Sequence, residues 1–149
     1  MKLDAKNDTT LRLAHRYAAP VARVFEAWTR PEIMCRWMSP SPDMACNVAA
    51  DVRVGGRYRI EMKNAMDGAD YTAIGAYEEI VPNRRLVFTW GWEGNPALAE
   101  NTRVTVEFEA QGGETELTLT HERFAGAEQR DQHGEGWTGC LTRLEEALA

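Results

Sequence analysis

Apolar and polar residues alternate with a period of two over most of the chain, as in strands that bury one face. The first such run covers residues 9–18, another covers 57–63, and the alternation continues to about residue 124. Turn signals such as Asp67-Gly68 separate the runs and favour tight hairpins. The pattern predicts an antiparallel meander of six or seven strands, with one face towards solvent.

Three helical segments interrupt or follow this alternation. Pro20 and Pro31 each stand at the start of a short amphipathic run, a favoured place for proline, and the residues 39–43 end the second run. A long helix is predicted from about Ala127 to Leu148. Its apolar stripe comprises Trp137, Cys140, Leu141, Leu144 and Leu148.

The order of these elements predicts an α+β fold in a single domain, residues 1–149. The sheet has a wide apolar face that two short helices cannot cover, so the long C-terminal helix should lie across it. The sheet should curl around that helix and leave a void between the two. Gly134, Gly136 and Gly139 surround Trp137 although each interior glycine costs about 1 kcal/mol relative to alanine, which suggests close approach or open space at this end.

Composition and charge exclude several classes of partner. The chain has 149 residues, of which 44% are hydrophobic. A chain of this size can bury a stable core without disulfides or a structural metal. Its net charge of −6 disfavours binding to nucleic acid or to anionic membranes. No apolar run approaches the roughly 20 residues of a membrane-spanning helix.

The cysteines and histidines give no pattern for a metal, a cofactor or a disulfide. Cys35, Cys46 and Cys140 are widely spaced, and the three histidines lie far apart. Free thiols and a polar N-terminus without a signal peptide predict a cytoplasmic protein. Nucleophilic catalysis has no signature either, so no catalytic residue is assigned.

Five segments, taken together, carry a family resemblance: RYAAPVARVFEAWTRPEIMCRWM, DVRVGGRYRIEM, GAYEEIVPNRRLVFTWGW, TELTLTHERF and GWTGCLTRLEEAL. They resemble the START-like, or SRPBCC, superfamily, and within it the branch named after the activator of the heat-shock-protein-90 ATPase. The resemblance implies the helix-grip fold, shared with the birch-pollen allergen, and a hydrophobic cavity beneath the long helix. It implies no single activity, because members include chaperone activators, lipid carriers, polyketide cyclases and a self-sacrificing resistance protein.

The leading functional hypothesis is the binding of a hydrophobic or aromatic small molecule between sheet and helix. Tyr58, Tyr71 and His121 are the candidate polar anchors of this cavity, and Trp37 and Met38 lead into a candidate lid. For each aromatic residue, a place in a filled core is the alternative. The predicted cavity-lining residues are Trp37, Met38, Tyr58, Ile60, Met62, Tyr71, Phe88, Trp90, Phe108, His121, Trp137 and Leu141.

Two further functions remain as alternatives. His121 could act as an acid or base in a cyclase or hydrolase, or it could be a buried histidine satisfied by the backbone, which the lack of an acidic partner in the sequence favours. A co-chaperone could use the charged outer face of the sheet, although the residues themselves give a chaperone partner no support. Open edge strands also favour a homodimer, with no surface singled out.

Overall fold

The computed structural model describes residues 2–64 and 68–149, so Asp67 of the predicted turn lies outside the described residues. The strands are β1 (Lys2–Asn7), β2 (Thr10–Tyr17), β3 (Met44–Ala50), β4 (Arg57–Asn64), β5 (Asp70–Val81), β6 (Arg85–Trp92), β7 (Thr102–Gln111) and β8 (Glu114–Glu122). The helices are α1 (Val21–Thr29), α2 (Pro31–Met34) and α3 (Ala127–Leu148).

Over the described residues, eight strands form one antiparallel sheet in the order β1-β2-β8-β7-β6-β5-β4-β3. The prediction of six or seven strands was therefore wrong by one, and the short helices follow the second strand rather than the first. The strand that was missed is β1, which pairs with β2 so that Leu3 lies opposite Leu13. A polar segment at the sheet edge can be held by backbone hydrogen bonds alone, and it then carries no apolar alternation to detect.

The helix α3 lies across the inner face of the curled sheet, which confirms the predicted helix-grip fold. Leu141 and Leu144 of its apolar stripe are fully buried. The Tyr17 hydroxyl of β2 donates a hydrogen bond to the Leu141 carbonyl oxygen at 2.9 Å, which ties the middle of the helix to the sheet. Over the described residues, no helix is both long and apolar enough to cross a bilayer.

The short helices close one half of the space between sheet and α3. Trp28 of α1 is buried, packs edge-on against Trp37 at a ring distance of 4.6 Å, and stacks on Trp137 at 6.0 Å. Trp37 and Met38 follow α2 instead of ending it, because the regular helix stops at Met34 and gives way to turns. The half of the inner space next to α1 is therefore filled with aromatic rings.

Candidate functional site

The other half of the inner space holds a cavity of about 340 Å³, called here the α3 cavity. This volume is at the lower end of the range of small-molecule sites. Helix α3, strands β3 to β6, the segment after α2 and the loop before β7 form its walls. The lining residues are Met38, Pro40, Met44, Met62, Asn64, Tyr71, Trp90, Trp92, Leu98, Gln132, His133, Gly136, Trp137 and Cys140.

The lining has a buried floor and an exposed mouth. Met62, Trp90 and Trp137 are each less than 5% exposed and belong to the floor. Tyr71 is 36% exposed, and Gln132 is exposed on the first half of α3; both mark the mouth. A ligand would therefore enter past a phenol and an amide and reach an apolar, aromatic floor.

The structure brings five of the twelve predicted lining residues to this cavity: Met38, Met62, Tyr71, Trp90 and Trp137. Tyr58, Ile60 and Phe88 lie on the predicted face of their strands but surround a separate void of about 10 Å³, too small for an organic ligand. They lie against the half of the fold that Trp28 fills, so their side chains pack in the core and do not line the α3 cavity.

The other four predicted residues are buried core groups. The Trp37 indole N–H donates to the Ala27 carbonyl oxygen at 2.9 Å, and Phe108 packs edge-on against Phe25. Leu141 is fully buried in the core and does not line the cavity. His121 is fully buried and does not line the cavity.

His121 is held by two side chains, and the predicted alternative of a backbone-satisfied histidine was wrong. The Trp137 indole N–H donates to His121 Nδ1 at 3.0 Å; since an indole only donates, Nδ1 must be the acceptor. The proton of the neutral ring is then on Nε2, which donates to the Thr102 hydroxyl at 2.7 Å. Thr102 donates onward to the Trp90 carbonyl oxygen at 2.6 Å. Every polar atom of this relay has a partner.

His133, which the sequence did not single out, forms a second relay at the cavity wall. It accepts the Trp92 indole N–H at Nε2 (2.9 Å) and donates from Nδ1 to the Gln129 carbonyl oxygen of α3 (2.8 Å). Burial lowers the pKa of both histidines, and for His121 the nearby His133 lowers it further. Both rings are therefore neutral at pH 7.

Several lining residues had only weak signals in the sequence. Trp92 shares the inward face with Trp90, and Gly136 and Cys140 follow His133 at helical spacing, so the periodicity could have placed these. Pro40 lies in the segment that the sequence offered as a candidate lid, whereas nothing in the local pattern indicated Met44, Asn64, Leu98 or Gln132. Their place depends on loops and on how the elements pack.

Arg143 holds the segment 38–44 against α3, at the edge of the cavity. Its guanidinium donates to the carbonyl oxygens of Ser39 (2.9 Å) and Ser41 (3.2 Å), and also to the Ser39 hydroxyl. One turn earlier, Gly139 lets Pro40 approach the helix so closely that an added methyl group would overlap the Pro40 carbonyl oxygen. This part of the predicted lid is thus fixed to the helix.

The glycines around Trp137 should respond in opposite ways to substitution by alanine. Apart from the backbone of its own helix, a methyl group at Gly136 would meet no atom of the described residues within 4 Å, so Gly136→Ala should raise the free energy of unfolding by about 0.5–1 kcal/mol through helix propensity. Gly139→Ala should lower it by about 1–3 kcal/mol, because the Pro40 backbone must move. Urea unfolding of both variants measures this, and changes of the same sign in both would contradict it.

The thiols should differ in reactivity in the folded protein. All three cysteines are free, and burial raises the pKa of Cys46 and of Cys140 to about 12. Because the thiolate is the reactive form, a thiol reagent at pH 8 should modify Cys35 first and the other two slowly, and all three after unfolding. Cys35→Ser should remove the fast phase; a fast phase that remains would contradict the assignment.

Comparisons with known proteins agree with this architecture. The sequence profile of the family described as "Activator of Hsp90 ATPase homolog 1-like protein" matches residues 18–149. A solved protein from Chromobacterium violaceum is 26% identical, with 94% of this chain and 96% of that chain covered and a TM-score of 0.85. The AHSA1-like protein from Aeromonas hydrophila is 23% identical, with 91% and 90% covered and a TM-score of 0.75.

A third solved structure, of a protein from Arthrobacter aurescens, is 22% identical, with 99% of this chain and 91% of that chain covered and a TM-score of 0.87. The last two likenesses, below 25% identity, speak for the fold alone. The comparison with curated proteins finds no significant match.

Proposed function

The chain belongs to the family of the activator of Hsp90 ATPase homolog 1-like proteins, and on that premise we propose that it binds an apolar or aromatic small molecule in the α3 cavity. The observation that carries this proposal is the cavity itself. Its volume of about 340 Å³ is suited to a small organic molecule, and three indoles and three thioethers line it. A filled core of this size would leave no such space.

Gly136 supports the same proposal. It lies within α3, lines the cavity, and has open space where a side chain would be. A glycine inside a helix destabilises it relative to alanine, so the open space has a cost in stability. Keeping room for a ligand accounts for that cost, whereas a purely structural role for this helix does not.

We propose binding without turnover, because the histidines near the floor are engaged elsewhere. His121 and His133 each use both ring nitrogens in hydrogen bonds within the protein. A general acid or base needs a nitrogen within hydrogen-bond reach of the substrate. Neither histidine offers one here.

The outer face of the sheet gives no comparable support to a co-chaperone role. Several of its arginines pair with glutamates, as in Arg59 with Glu93 at 2.8 Å and Arg103 with Glu78 at 2.9 Å. Exposed ion pairs of this kind are ordinary solvated surface. We therefore propose that the function lies in the cavity. We also propose that the protein works in a reducing cytoplasm, which would keep its thiols free.

The test is to fill the cavity and measure binding. The neutral fluorescent probe N-phenyl-1-naphthylamine should bind the protein and, at a free concentration of 100 times its Kd, add about 2.7 kcal/mol to the free energy of unfolding. Gly136→Leu should abolish binding while α3 stays intact, because leucine is a better helix former than glycine and extends into open space.

Glu135→Leu is the matched control, since residue 135 is exposed on the same helix and does not line the cavity. Native mass spectrometry of protein purified from its own host should also show a retained small molecule. Probe binding that is equal in the protein and in Gly136→Leu would disprove the proposal.

A further inference from the structure

The described residues that line the α3 cavity include no lysine, arginine, aspartate or glutamate. We infer that the ligand is an uncharged aromatic molecule, and that the cavity rejects carboxylates and sulfonates of the same shape. This inference rests on the function proposed above and narrows it to one chemical class. It follows from how the histidines, indoles and arginines near the cavity are bonded or buried.

The histidine at the wall supplies no positive charge to an anion. His133 accepts a hydrogen bond at Nε2 from the Trp92 indole, and a protonated ring could no longer accept it. Its other nitrogen donates to the Gln129 carbonyl oxygen. Binding an anion through His133 would therefore require breaking a buried hydrogen bond and charging a ring that is only 7% exposed.

The indole N–H groups of the wall are likewise closed to a ligand. Trp92 and Trp137 donate to His133 and His121. The third indole, of Trp90, has no hydrogen-bond partner among the described residues, but its nitrogen is buried. A sulfonate or carboxylate on the floor would meet ring edges and thioethers instead of donors.

The nearby arginines are also committed to other groups. Arg143 donates to backbone and hydroxyl oxygens of Ser39 and Ser41, and Arg59 on the outer face is bound by Glu93. The whole chain carries a net charge of −6, which adds a repulsive field for anions. Burying an unpaired anion in such surroundings is strongly unfavourable.

The same wall is attractive to a neutral aromatic ring. Trp90 and Trp92 stand perpendicular with their centroids 5.4 Å apart, and Trp137 is tilted against Trp90 at 5.0 Å, so ring edges and faces are presented at several angles. Thioethers such as Met62 make favourable contacts with aromatic rings and adapt to their shape. The Tyr71 hydroxyl and the Gln132 amide at the mouth can bond a neutral polar group.

Two probes with the same ring system separate this inference from the proposed function. N-phenyl-1-naphthylamine is neutral, and 8-anilinonaphthalene-1-sulfonate is its sulfonated counterpart. Titration calorimetry should give a Kd for the neutral probe that is at least about 100-fold lower than the Kd for the sulfonated probe. Gly136→Leu should abolish binding of the neutral probe, so that its site is identified as the cavity.

A cation placed at the mouth should weaken the preference of the cavity for the neutral probe over the sulfonated one. Gln132→Lys should improve sulfonate binding by about tenfold, whereas Glu135→Gln, which changes the net charge by the same amount away from the cavity, should not. Equal improvement in both variants would overturn the inference. The inference would also be overturned if the Kd of the sulfonated probe were within tenfold of that of the neutral probe and if Gly136→Leu abolished binding of the sulfonated probe. If Gly136→Leu affects the binding of neither probe, the proposed function itself fails.

Discussion

Replacing Trp137 by alanine should lower the free energy of unfolding by about 3–5 kcal/mol, the range for removing a large buried ring. The indole is 3% exposed, stacks on Trp28 at 6.0 Å and packs against Trp90 at 5.0 Å. Its loss also leaves Nδ1 of His121 without the donor it now has, and a buried acceptor without a partner costs about 1–3 kcal/mol. The cavity side of the ring has fewer contacts to lose.

Trp137→Phe separates ring packing from the hydrogen bond. It keeps an aromatic ring but removes the N–H group, so it should cost less than Trp137→Ala, about 1–3 kcal/mol. Urea unfolding at pH 7.5 measures both variants, and titration with N-phenyl-1-naphthylamine should show weaker binding for the alanine variant. If Trp137→Ala kept full stability and unchanged probe affinity, the indole would not be part of this wall.

Helix α3 could be predicted from the sequence at both ends, and its buried face as well. The apolar residues Trp137, Leu141, Leu144 and Leu148 recur at helical spacing. A single apolar stripe of this kind determines which face of the helix packs against the core. The inward faces of the central strands followed from the period of two for the same reason. These are local patterns, which a single sequence displays directly.

The position of the cavity could not be predicted in this way. Phe88 and Trp90 are two residues apart on one strand and share one face, yet only Trp90 lines the cavity. The difference comes from Trp28, which lies 60 residues earlier in the chain and approaches Phe88 at a ring distance of 6.4 Å. Alternation assigns a residue to a face, whereas the packing of α1 decides which part of that face is filled.

His133 shows the same limit for polar residues. In the sequence it is a lone histidine near the start of a helix, with glutamine and glycine beside it. Its partner, Trp92, is 41 residues away on β6. Only the fold brings the two together, so the second relay and the neutral character of the cavity wall had no local signal.

The two buried histidine relays should make the protein less stable as the pH falls below 6.5. Burial lowers the pKa of His121 and His133 in the folded state below the ordinary value of 6.5, so the unfolded chain binds protons that the folded protein does not. Stability from this source is fully present above pH 6.5 and is lost on acidification towards the folded-state pKa. Each such histidine should contribute a slope approaching about 1.4 kcal/mol per pH unit.

Urea unfolding at pH 7.5, 6.5, 5.8 and 5.0 should therefore show a free energy of unfolding that is nearly constant at first and then falls, with a slope approaching about 2.7 kcal/mol per pH unit for the two histidines. His15 contributes in the same direction, because burial lowers its pKa although the nearby Glu145 opposes that change. His133→Gln removes one titrating ring and should reduce the slope by about half. If the free energy of unfolding stayed constant from pH 7.5 to 5.0, His121 and His133 would have the same pKa in the folded protein as in the unfolded chain. The assignment of both rings as neutral in the folded protein would then be wrong.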